Sequence, residues 1–165
     1  KALHDTYGAM GMCVGPDDIY LAHRGLRTMS VRLDRHMRSA LEIARWLEAR
    51  PEVKRVLHPA LPGDPGHALW QRDFSGASGL FSIILEPVSF DAVKAMLDGL
   101  ELFGLGYSWG GYESLAIFAD PRKHRTATRW EESGPLLRFH IGLEDPADLI
   151  ADLEAGLARL TAAAG

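Results

Sequence analysis

The fold is decided by the stretch Leu136-Leu137-Arg138-Phe139-His140-Ile141-Gly142-Leu143-Glu144-Asp145-Pro146. Its apolar residues form a run of strand length, while Asp145 and Pro146 suit the N-cap and first position of a helix. The stretch therefore predicts a strand that leads directly into a capped helix. Arg138 is the one charge inside the run, and a desolvated guanidinium requires a partner. Because its planar fork suits a carboxylate held by two hydrogen bonds, Arg138 is either half of a structural ion pair or a hook for an acidic substrate.

Outward from this stretch, apolar periodicity and breaker residues predict a small α+β domain. The expected architecture is a small sheet covered by helices on one face, with a long N-terminal helix. We divide the chain into an opening segment with a long linking helix (1–50) and an α+β domain (51–165), with no linker between them. The predicted elements are a helix over 17–50 with a break near Gly25, strands over 53–57, 80–85 and 100–105, a loop over 58–79 with one helical turn near Leu69 and Trp70, a helix over 90–98 capped by Ser89, and a final helix from Pro146.

Composition narrows the class of protein. The 165 residues are 47% apolar and 24% charged with a net charge of −4, which is ordinary for a globular domain and argues against a nucleic-acid surface. No apolar run approaches the roughly 20 residues that a membrane helix needs. The single cysteine, Cys13, excludes an internal disulfide and indicates a reducing compartment. The seven histidines show no metal-ligand spacing, so no metal site is predicted.

A second candidate site is the glycine-rich stretch Gly104-Leu105-Gly106-Tyr107-Ser108-Trp109-Gly110-Gly111-Tyr112-Glu113-Ser114. It is either a tight corner with Trp109 packed at the edge of the core, or a binding wall that exposes Ser108 and Trp109 to a ligand. Its glycines do not match a phosphate-binding loop. His140 shares a strand face with Arg138, and we interpret it as a histidine at the edge of the core rather than a catalyst.

In the Arg138 stretch and the glycine-rich stretch, the chain resembles the C-terminal part of the cystathionine β-lyases. These enzymes belong to the cysteine/methionine-metabolism group of pyridoxal 5'-phosphate (PLP) enzymes. The stretches that carry the resemblance are Arg24 to Thr28, Val56 to Gly63, Phe74 to Phe81, Tyr107 to Ser114 and Arg138 to Asp145. They run across nearly the whole chain in the order of that family.

The resemblance implies the C-terminal small domain of a fold-type-I PLP lyase of methionine biosynthesis, a cytoplasmic homotetramer built from dimers. Such an enzyme splits cystathionine, a small sulfur amino acid, into homocysteine, pyruvate and ammonia. By resemblance, Arg138 binds the substrate α-carboxylate, and Ser108 and Trp109 line the site, with Ser108 also near the cofactor. Tyr7 lies one position from a tyrosine of the family's site, whose own place Gly8 occupies. No membrane or nucleic-acid partner is implied.

One part of the family pattern is missing. The family's cofactor lysine follows a Ser-x-Thr motif, and none of the four lysines here (Lys1, Lys54, Lys94, Lys123) has that context. We therefore expect the large cofactor domain to lie outside this chain, no catalytic residue within it, and no turnover by these 165 residues alone. Three alternatives stay open: a γ-synthase or γ-lyase of the same group, a stand-alone carboxylate-binding module, and an oligomerisation domain in which the 58–79 loop is the contact surface and Glu113 pairs with Arg138.

Overall fold

A mixed sheet of five strands forms the centre of the computed structural model, which describes residues 1–165. Its spatial order is β1-β2-β5-β4-β3, and every neighbouring pair is antiparallel except β3 and β4, which are parallel. The strands are β1 (Val53–Leu57), β2 (Leu80–Leu85), β3 (Gly104–Leu105), β4 (Leu115–Ala119) and β5 (Leu136–His140). The sheet and its helices confirm the predicted α+β fold class.

Six α-helices accompany the sheet, and none is long and apolar enough to cross a membrane. Two of them begin at the predicted caps: the Ser89 hydroxyl accepts a hydrogen bond from the Ala92 nitrogen, and the Asp145 carboxylate accepts one from the Ala147 nitrogen. These helices and the first two strands are confirmed in type and position. The helices are α1 (Ala2–Ala9), α2 (Pro16–Arg27), α3 (Met29–Glu48), α4 (His67–Asp73), α5 (Phe90–Asp98) and α6 (Pro146–Ala164).

The chain divides into two compact units, Lys1–Arg32 and Leu33–Gly165. The first unit contains α1 and α2, which bury no residue. In the second unit the later turns of α3 contribute Ala40, Ile43 and Leu47 to the core. The division falls inside α3, in which burial begins well before the helix ends. The segment boundary expected after residue 50 stays a prediction.

The helices of the second unit cover one face of the sheet. Alternate residues of β2 and β5, such as Phe81 and Phe139, pack with α3, α5 and α6 into one core. The intervening residues lie on the opposite face, where Arg138 sits between Ser82 on one side and Ile117 on the other. The sheet therefore holds Arg138 on the face that these helices leave open.

Five parts of the predicted element map differ from the structure. The expected strand over 100–105 is reduced to Gly104–Leu105, because the Asp152 carboxylate on α6 accepts the backbone N–H groups of Glu101 and Leu102 and removes them from strand pairing. Strand β4 and helix α1 were not predicted. The long N-terminal helix breaks at Thr28 rather than near Gly25, and the single turn expected near Leu69 is the seven-residue helix α4.

Candidate functional site

Arg138 has no acidic partner in this chain. No carboxylate lies within ion-pair distance of it, and the pairing with Glu113 that an oligomerisation domain would use is absent. Its Nη2 donates one hydrogen bond, to the carbonyl oxygen of Tyr107 at 2.8 Å. The guanidinium carries five N–H groups, so most of its donors remain available to a ligand.

A cavity of about 400 Å³ opens beside Arg138. One further cationic side chain, Lys123, lines it together with Tyr107 and the imidazole of His124. The acidic residue at its wall, Asp120, is engaged by Arg122 at 2.7 Å, and this hydrogen bond lowers the pKa of the Asp120 carboxyl. The balance of charge therefore favours an anionic ligand. Sequence reasoning missed Lys123 and His124, although the basic run 122–125 after an apolar strand was a usable signal.

The glycine-rich stretch predicted as a second site lies against β5 and the start of α6. We call residues 106–114 the corner. Hydrogen bonds connect the corner to the stretch 138–144 at four successive places, in the same chain order on both sides. The contacts are Tyr107 with Arg138, Gly110 and Gly111 with His140, Tyr112 with Leu143, and Ser114 with Glu144. The two stretches singled out in the sequence thus form one hydrogen-bonded unit.

The end of the corner is the most tightly held part. Ser114 is fully buried; its backbone N–H and its hydroxyl donate to the two carboxylate oxygens of Glu144 at 2.7 and 2.8 Å. The same hydroxyl accepts from the Gly142 nitrogen at 2.9 Å. A side chain at Gly142 would collide with the Tyr112 carbonyl and the Glu144 carboxylate, so only glycine fits between the two segments.

The middle of the corner is exposed to solvent. Trp109 has 55% of its surface exposed, so it does not pack at the edge of the core as one interpretation of the sequence required. Ser108 is also exposed. Gly110, next in the chain, has φ of 96°, a conformation that residues with a side chain rarely adopt. The corner therefore presents a hydroxyl and an indole that are free to contact a ligand.

His140 lies behind the corner and is only 3% exposed. Its ring centroid is 5.2 Å from that of His36 on α3, and His36 Nδ1 donates to the Ile141 carbonyl at 2.7 Å. Burial lowers the pKa of His140, and a hydrogen bond with Gly111 opposes this effect only in part. His140 is therefore a neutral, buried contact of the corner.

A larger cavity, about 820 Å³, lies elsewhere, between α3 and the 58–80 segment. It is lined mainly by apolar side chains such as Leu33, Trp70 and Phe74, and contains none of the site residues predicted from the sequence. Tyr7, the fourth predicted site residue, lies on α1 in the first unit and is 46% exposed. Its contribution to a site stays a prediction.

Comparison with known proteins gives the family. A family model described as "Cys/Met metabolism PLP-dependent enzyme" matches residues 1–158. The chain belongs to this family. The resemblance inferred from the corner and the Arg138 stretch is thereby confirmed at the level of the family.

Members of the Cys/Met metabolism PLP-dependent family resemble the chain along nearly its whole length. Cystathionine beta-lyase MetC of Escherichia coli is 51% identical over 165 residues, covering 97% of this chain and 42% of the relative. L-alanine/L-glutamate racemase of Wolbachia pipientis is 46% identical over 162 residues, covering 97% and 40%. A crystal structure of cystathionine gamma synthase from Xanthomonas oryzae, in complex with cystathionine, superimposes with a TM-score of 0.77 at 40% identity, covering 93% of this chain and 41% of that one. The chain thus spans about two fifths of the length of these relatives.

The family implies PLP, and the residues present suit only part of a PLP site. A lysine that attacks a carbonyl must be uncharged, which burial in an apolar pocket promotes. All four lysines of this chain are exposed, and Lys54 Nζ lies 2.8 Å from Glu132, which raises the pKa of Lys54. The chain therefore offers no suitable covalent anchor, whereas Arg138, Ser108 and Trp109 suit the side of the site that receives substrate.

Proposed function

We propose that the chain is the C-terminal part of a PLP-dependent carbon–sulfur lyase that cleaves cystathionine to homocysteine, pyruvate and ammonia. The observation that carries the proposal is the fork of Arg138, which has no acidic partner and which holds the carbonyl of Tyr107, the residue that precedes the exposed Ser108 and Trp109 in the chain. The name of the Escherichia coli relative, cystathionine beta-lyase, supports the choice of substrate and reaction.

In this mechanism Arg138 binds the α-carboxylate of the amino acid. Because Nη2 already holds the Tyr107 carbonyl, the remaining N–H groups are oriented before substrate arrives, and little conformational freedom is lost on binding. A fixed carboxylate orients the bonds at the α-carbon, which is a large part of what positioning can contribute to a rate. Lys123 adds positive charge to the wall of the cavity that receives the anion.

The corner supplies the second part of the proposed site. Ser108 contributes a hydroxyl and Trp109 contributes a flat apolar ring. We assign Ser108 a hydrogen bond to the cofactor region and Trp109 a stacking contact that excludes water from the substrate. PLP, when bound, acts as an electron sink for the substrate carbon next to the amine. Tyr7 is assigned a substrate contact in the intact enzyme.

We further propose a cytoplasmic homotetramer for the intact enzyme. The support is the first unit, which buries nothing while exposing apolar side chains such as Leu3, Ile19 and Leu21. An apolar surface of this kind is usually covered by another part of the assembly. The single cysteine suits a reducing compartment.

Two other reactions are candidates for the same carboxylate site. The Xanthomonas structure is a cystathionine gamma synthase, and the Wolbachia relative is an amino-acid racemase. The substrates of both reactions carry an α-carboxylate, so Arg138 alone does not distinguish the reactions. The products formed do distinguish them.

The test uses the full polypeptide that contains these residues, loaded with PLP. It is incubated separately with cystathionine and with L-alanine. We expect pyruvate and homocysteine from cystathionine. Formation of 2-oxobutyrate would instead assign γ-chemistry, and D-alanine without pyruvate would assign a racemase. If no amino acid is turned over, the enzyme proposal fails and the carboxylate-binding module becomes the better description.

A further inference from the structure

One ring nitrogen of His140 faces two backbone groups of the corner. His140 Nε2 lies 3.2 Å from the Gly110 nitrogen and 3.1 Å from the Gly111 carbonyl oxygen. A single imidazole nitrogen either accepts from an N–H or donates to a carbonyl, so the two hydrogen bonds are alternatives. Either neutral tautomer of His140 therefore retains one hydrogen bond to this turn.

The turn has few other supports. No backbone–backbone hydrogen bond joins residues 108–111 to the rest of the chain. Gly110 is held at φ of 96°, and a side chain added there would meet nothing within 4 Å. The nearest fixed points on either side are the Tyr107 carbonyl, held by Arg138, and the Tyr112 carbonyl, which accepts from the Leu143 nitrogen.

Packing, rather than a second hydrogen bond, fixes the ring of His140. Its Nδ1 is buried and has no hydrogen-bond partner. The ring lies against His36 and near the backbone of Gly79, where an added side chain would come within 3.2 Å of it. An unpaired N–H is costly to bury, so the favoured tautomer carries its proton on Nε2 and donates to Gly111.

We propose that His140 is a positioning residue for substrate binding, which anchors the turn at Gly110 and Gly111 and so fixes the segment of Ser108 and Trp109, whose other end Arg138 holds through the Tyr107 carbonyl. The inference rests on the proposed function and adds a residue to it. Arg138 and His140 are alternate residues on one face of β5, and they hold the two ends of the segment that carries Ser108 and Trp109. The strand that binds the carboxylate therefore also sets the position of the binding wall.

The first experiment compares three variants of the full polypeptide with PLP. His140→Leu removes the hydrogen bond to the turn in either tautomer; in His140→Gln the side-chain amide can still donate to Gly111 or accept from Gly110. His58→Leu is the matched control, because His58 is equally buried but contacts Phe81 and the Ala60 nitrogen instead of the corner.

We expect His140→Leu to lower kcat/KM for cystathionine by about ten- to a hundredfold, mainly through KM, since small displacements of binding groups have effects of this size. His140→Gln should recover most of the loss, and His58→Leu should leave both constants near wild type. Wild-type kinetics in His140→Leu, or equal losses in all three variants, would overturn the proposal.

A second variant guards against failure of His140→Leu to fold. Gly110→Ala leaves the core untouched and disturbs only the φ of the turn. It should raise KM as His140→Leu does, and the strain at positive φ should lower the thermal midpoint less than the loss of a buried side chain in His140→Leu does. An unchanged KM would mean that the geometry of the turn does not matter for binding, and the proposal would fall.

Limited proteolysis with chymotrypsin, which cleaves after aromatic residues, gives a readout that does not need activity, because Tyr107, Trp109 and Tyr112 are exposed. His140→Leu should accelerate cleavage between residues 107 and 112, while His140→Gln and His58→Leu should not. If the wild-type protein fails to cleave cystathionine but this pattern appears, the positioning role stands and only the proposed reaction is lost. Proteolysis at these sites that is unchanged in His140→Leu would refute the positioning role whatever the activity.

Discussion

Glu144 holds Ser114 with both of its carboxylate oxygens, one on the backbone nitrogen and the other on the hydroxyl. The two residues are 30 positions apart, so this contact attaches the corner to the start of α6. Because Ser114 is fully buried, its donors have no access to water if the carboxylate is removed. The hydrogen bonds between Ser114 and Glu144 therefore stabilise the position of the corner in the candidate site.

Glu144→Ala should lower the free energy of unfolding by about 2 kcal/mol or more, since it leaves a buried N–H and hydroxyl unpaired. Urea unfolding followed by circular dichroism measures the change. Glu131→Ala is the control, because Glu131 is exposed and forms no ion pair. Equal stability of the two variants would show that the bidentate contact contributes nothing.

Substitution of Arg138 should affect binding much more than folding. Within the chain it makes one hydrogen bond and no ion pair, so Arg138→Ala should cost at most about 1 kcal/mol of stability. In the full polypeptide, both Arg138→Ala and Arg138→Lys should lower kcat/KM by about a hundredfold, because an ammonium does not reproduce a planar fork.

Steady-state kinetics and urea unfolding on the same preparations test the Arg138 prediction. Arg72→Ala serves as the control, since Arg72 pairs with its neighbour Asp73 at the surface. Unchanged kcat/KM in Arg138→Ala would end the carboxylate assignment. A large loss of stability would instead indicate a structural role.

Acidification should destabilise the second unit through two buried histidines. Burial lowers the pKa of both His58 and His140, below the value of about 6.5 usual in an unfolded chain. Between the lowered pKa and about 6.5 the unfolded chain binds more protons, so the free energy of unfolding rises with pH across this window and falls as the pH drops through it.

The measurement is the urea midpoint of unfolding at about pH 7.5 and at about pH 5.5. These two pH values lie on either side of about 6.5, and both lie above the range in which carboxyl groups usually titrate. The midpoint should be lower at the acidic value. His58→Leu should reduce the difference between the two midpoints. A midpoint that rises on acidification would contradict the assignment of neutral histidines in the core.

The 165 residues alone should not capture PLP. Because every lysine is exposed and Lys54 is paired with Glu132, incubation with PLP followed by mild borohydride reduction should leave the intact mass near 18.1 kDa, without a stoichiometric adduct. A single, fully occupied adduct mapped to one of these lysines would contradict this prediction. Partial labelling spread over several lysines would be the nonspecific reaction expected of exposed amines.

Local signals made much of the fold predictable. The strand β5, the cap at Asp145 and the cap at Ser89 depend on residues that are neighbours in sequence, and all three are found as predicted. The expected strand over 100–105 was wrong because Asp152, about 50 residues away, takes its backbone donors. A contact between residues so far apart in sequence does not alter the local pattern of apolar residues from which a strand is predicted.

The candidate site was predictable in its parts but not in its assembly. Arg138, Ser108 and Trp109 stood out by residue type, whereas the hydrogen bonds that connect the corner to β5 depend on the register of β4 against β5. Once strand β4 was missed, nothing in the sequence could place His140 beneath Gly110 and Gly111. The same omission hid Lys123 and His124, which follow that strand.

The successive contacts between the corner and β5 have an evolutionary consequence. On the corner side they use mostly backbone atoms: the carbonyls of Tyr107, Gly111 and Tyr112 and the nitrogens of Gly110 and Ser114. Exchange of the exposed side chains at 107, 108, 109 and 112 leaves every one of these contacts possible, whereas insertion or deletion of one residue between them puts the contacts on its two sides out of register with each other. Selection can therefore change the ligand preference of this loop by substitution while its length stays fixed.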